Sequence, residues 1–189
     1  MFVMLLAAGL LFSLLLTALW HDIASRRIPN WLVLAGLIAG LACQLFLPRG
    51  AGLFAAPPGS LGIVSALLGV LAGGALLLPL YLLRAMGAGD VKLMAAIGAF
   101  LGPLQVLGAV LLTFMAGGVL ALGAALFSRS VHQVFDNLRL MLLYLVAGKD
   151  AGLKLSDAPT TGRLPYALAI FAGTALQIWL ARYSVWWFA

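Results

Sequence analysis

Residues 61–83 read LGIVSALLGVLAGGALLLPLYLL and contain no charged side chain. A helix needs about 20 apolar residues to cross the ~30 Å hydrocarbon core of a membrane, so this stretch predicts a membrane-spanning helix. The whole chain suits the same solvent, because 65% of its 189 residues are hydrophobic and only 8% are charged. A soluble domain has roughly 25% charged residues. This composition excludes most soluble enzymes, nucleic-acid-binding proteins and secreted modules.

Five further apolar segments predict an all-α membrane protein, a single domain with a bundle of six transmembrane helices. The predicted spans are residues 1–20, 31–47, 61–83, 91–102, 104–127 and 164–181. The first span has no basic segment before it and no small-residue cleavage site after it, so we expect it to be retained rather than removed as a signal peptide. The fourth span is short. Either its start lies below the membrane surface or the turn that follows it is immersed.

The long polar stretch after the fifth span has two halves. In residues 131–145, apolar side chains recur at helical spacing with polar side chains between them. This pattern predicts an amphipathic helix lying in the membrane interface between spans 5 and 6. Residues 148–162 are rich in Gly, Pro, Ser, Thr and Asp, which predicts a loop.

The basic residues predict the orientation of the chain. If the N-terminus is outside, nine of the eleven basic residues fall on one side of the membrane. They are Arg26, Arg27, Arg84, Lys92, Arg129, Arg139, Lys149, Lys154 and Arg163. The positive-inside rule makes that side cytoplasmic. We therefore expect both termini outside, and we attribute the net charge of +6 to membrane topology rather than to nucleic-acid binding.

Glycine pairs at a spacing of four residues occur three times, at Gly36/Gly40, Gly69/Gly73 and Gly98/Gly102. Small residues at this spacing let helices approach closely in lipid. The pairs could serve dimerisation, but packing within one bundle is the favoured interpretation. The oligomeric state stays open.

Two aspartates are the candidates for chemistry. Asp22 follows the first span and Asp90 opens the fourth, so both lie at the predicted cytoplasmic face. Packing of the first helix against the fourth would bring the two carboxylates together. Such a pair shares a proton, and one carboxylate can activate water while the other protonates a carbonyl oxygen. This chemistry uses no metal and no cofactor. The single cysteine also excludes an intrachain disulfide and a Cys-rich zinc site.

Each aspartate also has a purely structural interpretation. Asp90 could be the N-cap of the fourth helix, and Asp22 could form an ion pair with Arg26 four residues on. Among the neighbours of the pair, His21 could tune Asp22, although a lone interfacial histidine is more often structural. Lys92 could lower the pKa of Asp90 by proximity, although cytoplasmic anchoring explains it equally well.

Two segments carry a family resemblance: DIASRRIPN at residues 22–30 and GAGDVKL at residues 87–93. Together they resemble the type IV prepilin peptidases, a family of six-helix GxGD membrane aspartyl proteases. The resemblance is in particular to the short, peptidase-only members that serve tight-adherence (Flp-type) pili. It covers nearly the whole chain, including RLPY at residues 163–166 before the sixth span.

The resemblance implies Asp22 and Asp90 as the catalytic pair, and Gly87 and Gly89 as motif residues. Because glycine lacks Cβ, we expect an unusual backbone and a close substrate approach at these two positions. The implied substrate is a pilin or pseudopilin precursor, with a basic leader and an apolar helix. Cleavage is expected at the cytoplasmic face of the bacterial inner membrane.

The chain departs from the larger family members, which carry an N-terminal extension with paired CxxC motifs and also methylate the new N-terminus. Methyltransferase activity is therefore not expected. Presenilin-like proteases have Tyr-Asp where this chain has His21-Asp22, which disfavours that subgroup. Two other functions stay open: a small ion- or proton-coupled transporter that uses the Asp pair, and a non-catalytic assembly subunit. A transporter usually places its ionisable groups near the membrane midplane and often has internal repeats, whereas this pair lies toward one face.

Overall fold

The computed structural model describes residues 2–55, 57–83, 86–127 and 166–183 of the protein. These residues form six helices and connecting segments. They are α1 (Phe2–Ser25), α2 (Asn30–Phe46), α3 (Ile63–Leu82), α4 (Ala88–Leu101), α5 (Pro103–Phe127) and α6 (Tyr166–Tyr183). The predicted all-α fold is confirmed for these residues. The predicted interfacial helix at 131–145 lies outside them.

Three of the helices are long and apolar enough to cross a membrane. The qualifying segments are Leu5–Ser25, Ile63–Leu82 and Pro103–Gly123. Shorter apolar segments, Asn30–Phe46 and Tyr166–Arg182, lie in α2 and α6. Large apolar side chains such as Leu71 and Leu111 are exposed, as expected for a surface in contact with lipid. That all six helices cross the membrane stays a prediction.

Residues 1–117 and 165–189 form one compact unit, and residues 118–164 form a second. Of the second unit, the structure describes the last residues of α5. In the first unit, α4 is the central helix and packs against α1, α2, α3 and α6. From Leu93 to Leu101, all but one of its residues are buried. The residues considered below as a candidate site all belong to the first unit.

Glycines allow the backbones of α3 and α4 to touch. A Cβ placed on Gly69 would collide with the carbonyl oxygen of Gly98, and a Cβ on Gly98 would collide with that of Gly69. One turn further along α3, a Cβ on Gly73 would lie 2.6 Å from the carbonyl oxygen of Met94. Real Cβ atoms do not approach backbone atoms so closely, so each of these positions requires glycine.

The glycines of α2 also face neighbouring helices of the same chain. A Cβ on Gly36 would collide with the Leu14 side chain of α1, and one on Gly40 would lie 2.8 Å from the Ala99 Cβ of α4. Together with the contacts of α3, these confirm the prediction that the glycine pairs serve packing within one bundle.

The end of α4 far from Asp90 is fixed by a buried amide. Gln44 of α2 donates from Nε2 to the carbonyl oxygen of Phe100 at 3.0 Å, and its Oε1 accepts from the N–H of Leu61 at 2.7 Å. The last carbonyl groups of a helix have no partner within the helix, so this bond satisfies one of them. Gly102 then turns the chain with a φ of 78°, and α5 begins at the next residue.

Candidate active site

Asp22 lies inside α1 rather than after it. The predicted span ends at residue 20, but the helix continues to Ser25. It ends there because Arg26 adopts a left-handed conformation with a φ of 52°, while its N–H still donates to the Asp22 carbonyl oxygen at 2.9 Å. Pro29 prevents α1 from continuing, and the next helix, α2, begins at Asn30. The half-buried Asp22 side chain is thus held on a helical backbone, one turn from the end of α1.

Asp90 is also helical, because α4 begins at Ala88, three residues before the predicted start. The extended Gly87 is the N-cap, so the prediction that Asp90 itself could be the N-cap is wrong. Instead its Oδ2 accepts a hydrogen bond of 3.3 Å from the N–H of Gly87, which is the carboxylate half of a capping box. Asp90 is only 9% exposed, so its carboxyl group is largely removed from water.

The structure brings the two carboxylates within electrostatic reach of each other, as packing of α1 against α4 predicts. The pKa of Asp90 is raised to about 6, first by burial and second by the charge of Asp22. The Gly87 hydrogen bond acts in the opposite direction. Asp90 precedes the predicted fourth span, at the end that the positive-inside rule predicts to be cytoplasmic. The lowering of the Asp90 pKa considered for Lys92 is not seen, because the pKa of Asp90 is raised overall.

The side chains predicted to tune the pair are engaged elsewhere. Lys92 donates from Nζ to Oδ1 of Asn30 at 2.9 Å. The His21 ring packs edge-on against Trp31 of α2, with ring centroids 6.4 Å apart, which supports the structural interpretation of this histidine. Within the described residues, Asp22 and Arg26 form no ion pair, so the proposed structural role of Asp22 finds no support there. In the same residues, no three His, Cys, Asp or Glu side chains are grouped as a metal site requires.

The two glycines of the GAGD segment serve packing and not an unusual backbone conformation. Gly87 has φ −77° and ψ 150°, and Gly89 is helical, so the expectation of a special conformation is wrong for both. Space is the constraint instead. A Cβ on Gly87 would lie 3.2 Å from Oδ2 of Asp90, and a Cβ on Gly89 would lie 3.1 Å from the Ile28 Cβ.

Helix α6 also contributes to the region around Asp22 and Asp90. The sequence analysis does not predict this contribution. The N–H of Ala167 donates to Oδ2 of Asp22 at 3.1 Å, across 145 residues of sequence. The neighbouring Tyr166 packs over Gly117 of α5, where a Cβ would lie 3.1 Å from the hydroxyl oxygen of Tyr166. The charge of Asp90 acts on the same hydroxyl group. The one available signal was Pro165, since proline is common where helices begin.

The model of the type IV leader peptidase family matches residues 9–122, which is more than half of the chain and includes both aspartates and both motif segments. The chain belongs to the type IV leader peptidase family. Members of the type IV leader peptidase family are membrane-embedded peptidases of the aspartic type, so this protein is a peptidase. The family resemblance of the two motif segments is thereby confirmed. No curated protein and no solved structure matches the chain.

Proposed function

We propose that this peptidase is an aspartyl endopeptidase that removes the basic leader from a pilin or pseudopilin precursor at the cytoplasmic face of the bacterial inner membrane. Asp22 and Asp90 are its catalytic pair in this proposal. The observation that carries it is the coupling of two carboxylates from different helices, one of them buried. Two such groups do not ionise independently, and a proton shared between them is what water activation by an aspartic peptidase needs.

The pair would hydrolyse the amide in two balanced steps. In the first, an ionised carboxylate takes a proton from water as the water oxygen bonds to the carbonyl carbon, and the protonated carboxyl gives its proton to the carbonyl oxygen. In the second, the C–N bond breaks and the leaving nitrogen takes the proton from the first carboxyl. The second carboxylate recovers a proton from a hydroxyl group of the tetrahedral intermediate.

The placement of the pair supports cleavage near the cytoplasmic face. Asp22 is close to the C-terminal end of α1 and Asp90 is in the first turn of α4, on the side where the positive-inside rule puts the cytoplasm. A leader rich in Lys or Arg stays on that side, while the apolar helix after it partitions into lipid. Because helical backbone is already hydrogen-bonded, the cut is expected where the substrate helix has not begun.

Co-expression with a pilin precursor encoded beside this protein tests the proposal. The mass of the pilin should fall by that of its basic leader, and the new N-terminus should lie at the junction of leader and apolar helix. Asp22→Asn and Asp90→Asn are the matched controls, which should leave the precursor intact. An intact precursor with the unmodified enzyme would show that this peptidase acts on a different substrate.

A further inference from the structure

A groove lies between α2 and α4, and exposed residues form its rim. Its volume is about 360 Å³, which is typical of a small-molecule site. Asn30 and Lys92 form one end of the groove. Five apolar residues form the rest of the lining: Val33, Leu34 and Leu37 of α2, and Ala95 and Ala96 of α4. The groove therefore has a polar end followed by an apolar stretch.

The groove exists because α2 and α4 touch further along their length but not here. A Cβ on Gly40 would lie 2.8 Å from the Ala99 Cβ, so the two helices are in direct contact at that point. Nearer their first residues, α4 presents two alanines to α2, and space remains. From Asn30 to Leu37 the groove follows α2 for about 10 Å, at ~1.5 Å per residue. That is about two-thirds of the share that one leaflet has in the ~30 Å hydrocarbon core.

The polar end of the groove offers hydrogen-bond donors and a positive charge. Lys92 donates from Nζ to Oδ1 of Asn30 at 2.9 Å, which leaves the other ammonium N–H groups and the amide N–H groups of Asn30 as further donors. In the part of the chain that the structure describes, the Lys92 ammonium has no carboxylate partner. Arg26 and Arg27, both exposed between α1 and α2, add positive charge to the same end of the bundle. This set of donors suits a phosphate group.

The surroundings of the groove favour a lipid over water or a precursor helix. Water finds no polar partner along the apolar lining, and an empty groove forgoes the dispersion contacts of that lining. A precursor helix is disfavoured by position. Lys92 follows Asp90 by two residues, about 200° round the helix, so the groove lies on the opposite side of α4 from the Asp90 carboxyl. The exposed Trp31 beside Asn30 is typical of the depth of lipid headgroups.

We propose that the groove between α2 and α4 binds one anionic phospholipid. The phosphate accepts hydrogen bonds from Lys92 and Asn30, and one acyl chain lies along the apolar lining. Basic side chains between membrane helices recognise anionic headgroups on the cytoplasmic side, where the predicted topology puts this end of α4. The site uses neither aspartate, so this inference does not rest on the proposed function.

Native mass spectrometry of the full-length protein in detergent tests the headgroup contact. The protein should bind one phosphatidylglycerol about fivefold or more tightly than phosphatidylcholine with the same acyl chains. Lys92→Gln should remove this preference. Arg49→Gln is the matched control, because it removes the same charge just beyond the other end of α2, and it should keep the preference. An equal preference in the two variants would overturn the proposal.

Glycerol phosphate distinguishes a lipid site from a site for phosphate alone, because it carries the phosphate without acyl chains. At the concentration of the lipid, it should leave phosphatidylglycerol bound. Displacement of the lipid at that concentration would show that the acyl chain contributes nothing, and the lipid site would be refuted.

Ala95→Leu tests the apolar lining, because the larger side chain would occupy the groove. It should weaken the binding of both lipids by about fivefold or more. Ala35→Leu makes the same change at an exposed residue of α2 outside the groove, and it should have no effect. Thermal unfolding without added lipid shows whether each variant is folded. Unchanged lipid binding by a folded Ala95→Leu protein would contradict the assigned position of the chain.

Photolabelling of the unmodified protein locates the lipid without any substitution. Phosphatidylglycerol with a diazirine in one acyl chain should label the peptides that contain Leu34 and Ala95, and an excess of pilin precursor should leave this label in place. Label spread evenly over the apolar helices would refute a specific site. Loss of the label with the precursor would assign the groove to the substrate instead. Precursor cleavage enters none of these readouts, so failure of the lipid site leaves the proposed function standing.

Discussion

The ammonium group of Lys92 donates a hydrogen bond of 2.9 Å to the side-chain oxygen of Asn30, which lies 62 residues earlier in the chain. Beside this contact, Ile28 packs on Gly89, and the charge of Asp22 acts on Asp90. Three positions of the segment at residues 22–30 thus meet three positions of the segment at residues 87–93. The two motif segments therefore form one contact surface, although helices α2 and α3 separate them in the sequence.

Asp22→Asn and Asp90→Asn should each abolish precursor cleavage while the protein still inserts into the membrane. An amide cannot exchange the shared proton, so either change removes one of the two required groups. Mass spectrometry of the co-expressed pilin measures the outcome. Asp136→Asn is a control, because it removes another aspartate of the predicted cytoplasmic side. Full cleavage by a well-inserted Asp22→Asn or Asp90→Asn protein would exclude the pair.

Activity should decline as the pH rises above about 6. The raised pKa of Asp90 means that its carboxyl keeps a proton up to about pH 6 and loses it above that. The doubly ionised pair has no proton to give, so kcat/KM should fall about tenfold per pH unit beyond this limb. Cleavage rates of the purified enzyme, measured across the pH range with one precursor, check this. A rate that stays constant far into the alkaline range would argue against a proton on Asp90.

The same shift has a consequence for stability, of the opposite sign to that of an ordinary ion-paired aspartate. Between the usual aspartate pKa and about 6, the folded protein binds more protons than the unfolded chain. Stability therefore falls as the pH rises through this window, and Asp90→Asn should remove that part of the dependence. Thermal unfolding in detergent at several pH values measures it. An unchanged pH dependence in Asp90→Asn would show that other groups are responsible.

Gly89→Val should reduce activity at least tenfold. Its side chain would meet Ile28, whose Cβ is 3.1 Å from the position of a Cβ on Gly89, so the first turn of α4 and Asp90 would have to shift. Gly9→Val is the matched control, since a Cβ on Gly9 meets nothing within 4 Å. Combining Gly89→Ala with Ile28→Ala should recover activity relative to Gly89→Ala alone. Near-normal turnover of Gly89→Val would show that this contact does not position Asp90.

Gly69→Ala should destabilise the bundle by about 1–3 kcal/mol, the usual cost of overpacking. The added methyl group would collide with the carbonyl oxygen of Gly98, and backbone cannot move aside cheaply. Gly74→Ala on the same helix is the control, because its Cβ would make an ordinary contact of 3.6 Å with Ala95. That control should be neutral or slightly stabilising, since alanine favours helix over glycine. Equal unfolding temperatures for the two variants would contradict direct packing of α3 on α4.

Charge reversal in the substrate leader should reduce processing. Replacing Lys and Arg of the leader by Asp and Glu removes the preference for the cytoplasmic side, and with it the placement of the junction near the pair. Exchanging residues deep in the apolar helix for other apolar ones should matter little. Peptide mapping gives the cut site. A cut in the middle of the apolar helix would contradict the proposed placement.

The sequence predicts the helices better than their ends. Apolar runs locate the segments that avoid water, but a helix continues until a backbone feature stops it. The apolar run of α1 stops at Trp20, whereas the helix stops at the left-handed Arg26. At α4, the helix includes three residues of the GAGD segment, 88–90, before the apolar run that predicts the helix begins. Both aspartates therefore turn out to be helical, although the sequence places them just outside helices.

The proximity of Asp22 and Asp90 could be predicted because the predicted membrane topology puts both at one depth. The contribution of α6 could not, because the group that reaches Asp22 is the backbone N–H of Ala167, and any residue but proline carries one. The predicted tuning by His21 and Lys92 overlooked their partners Trp31 and Asn30, which lie close to Asp22 in sequence but carry no charge. Charge patterns indicate ion pairs more readily than neutral contacts.

The hydrogen bond from Ala167 to Asp22 also has a consequence for biosynthesis. The ribosome makes Asp22 early, and the bond cannot form until Ala167, which lies 145 residues later, has left the exit tunnel. A nascent chain that already contains α1 and α4 therefore lacks the N–H that donates to Asp22 in the finished protein. Under the catalytic role proposed for Asp22, the order of translation thus delays the complete site until the first turn of α6 has been made.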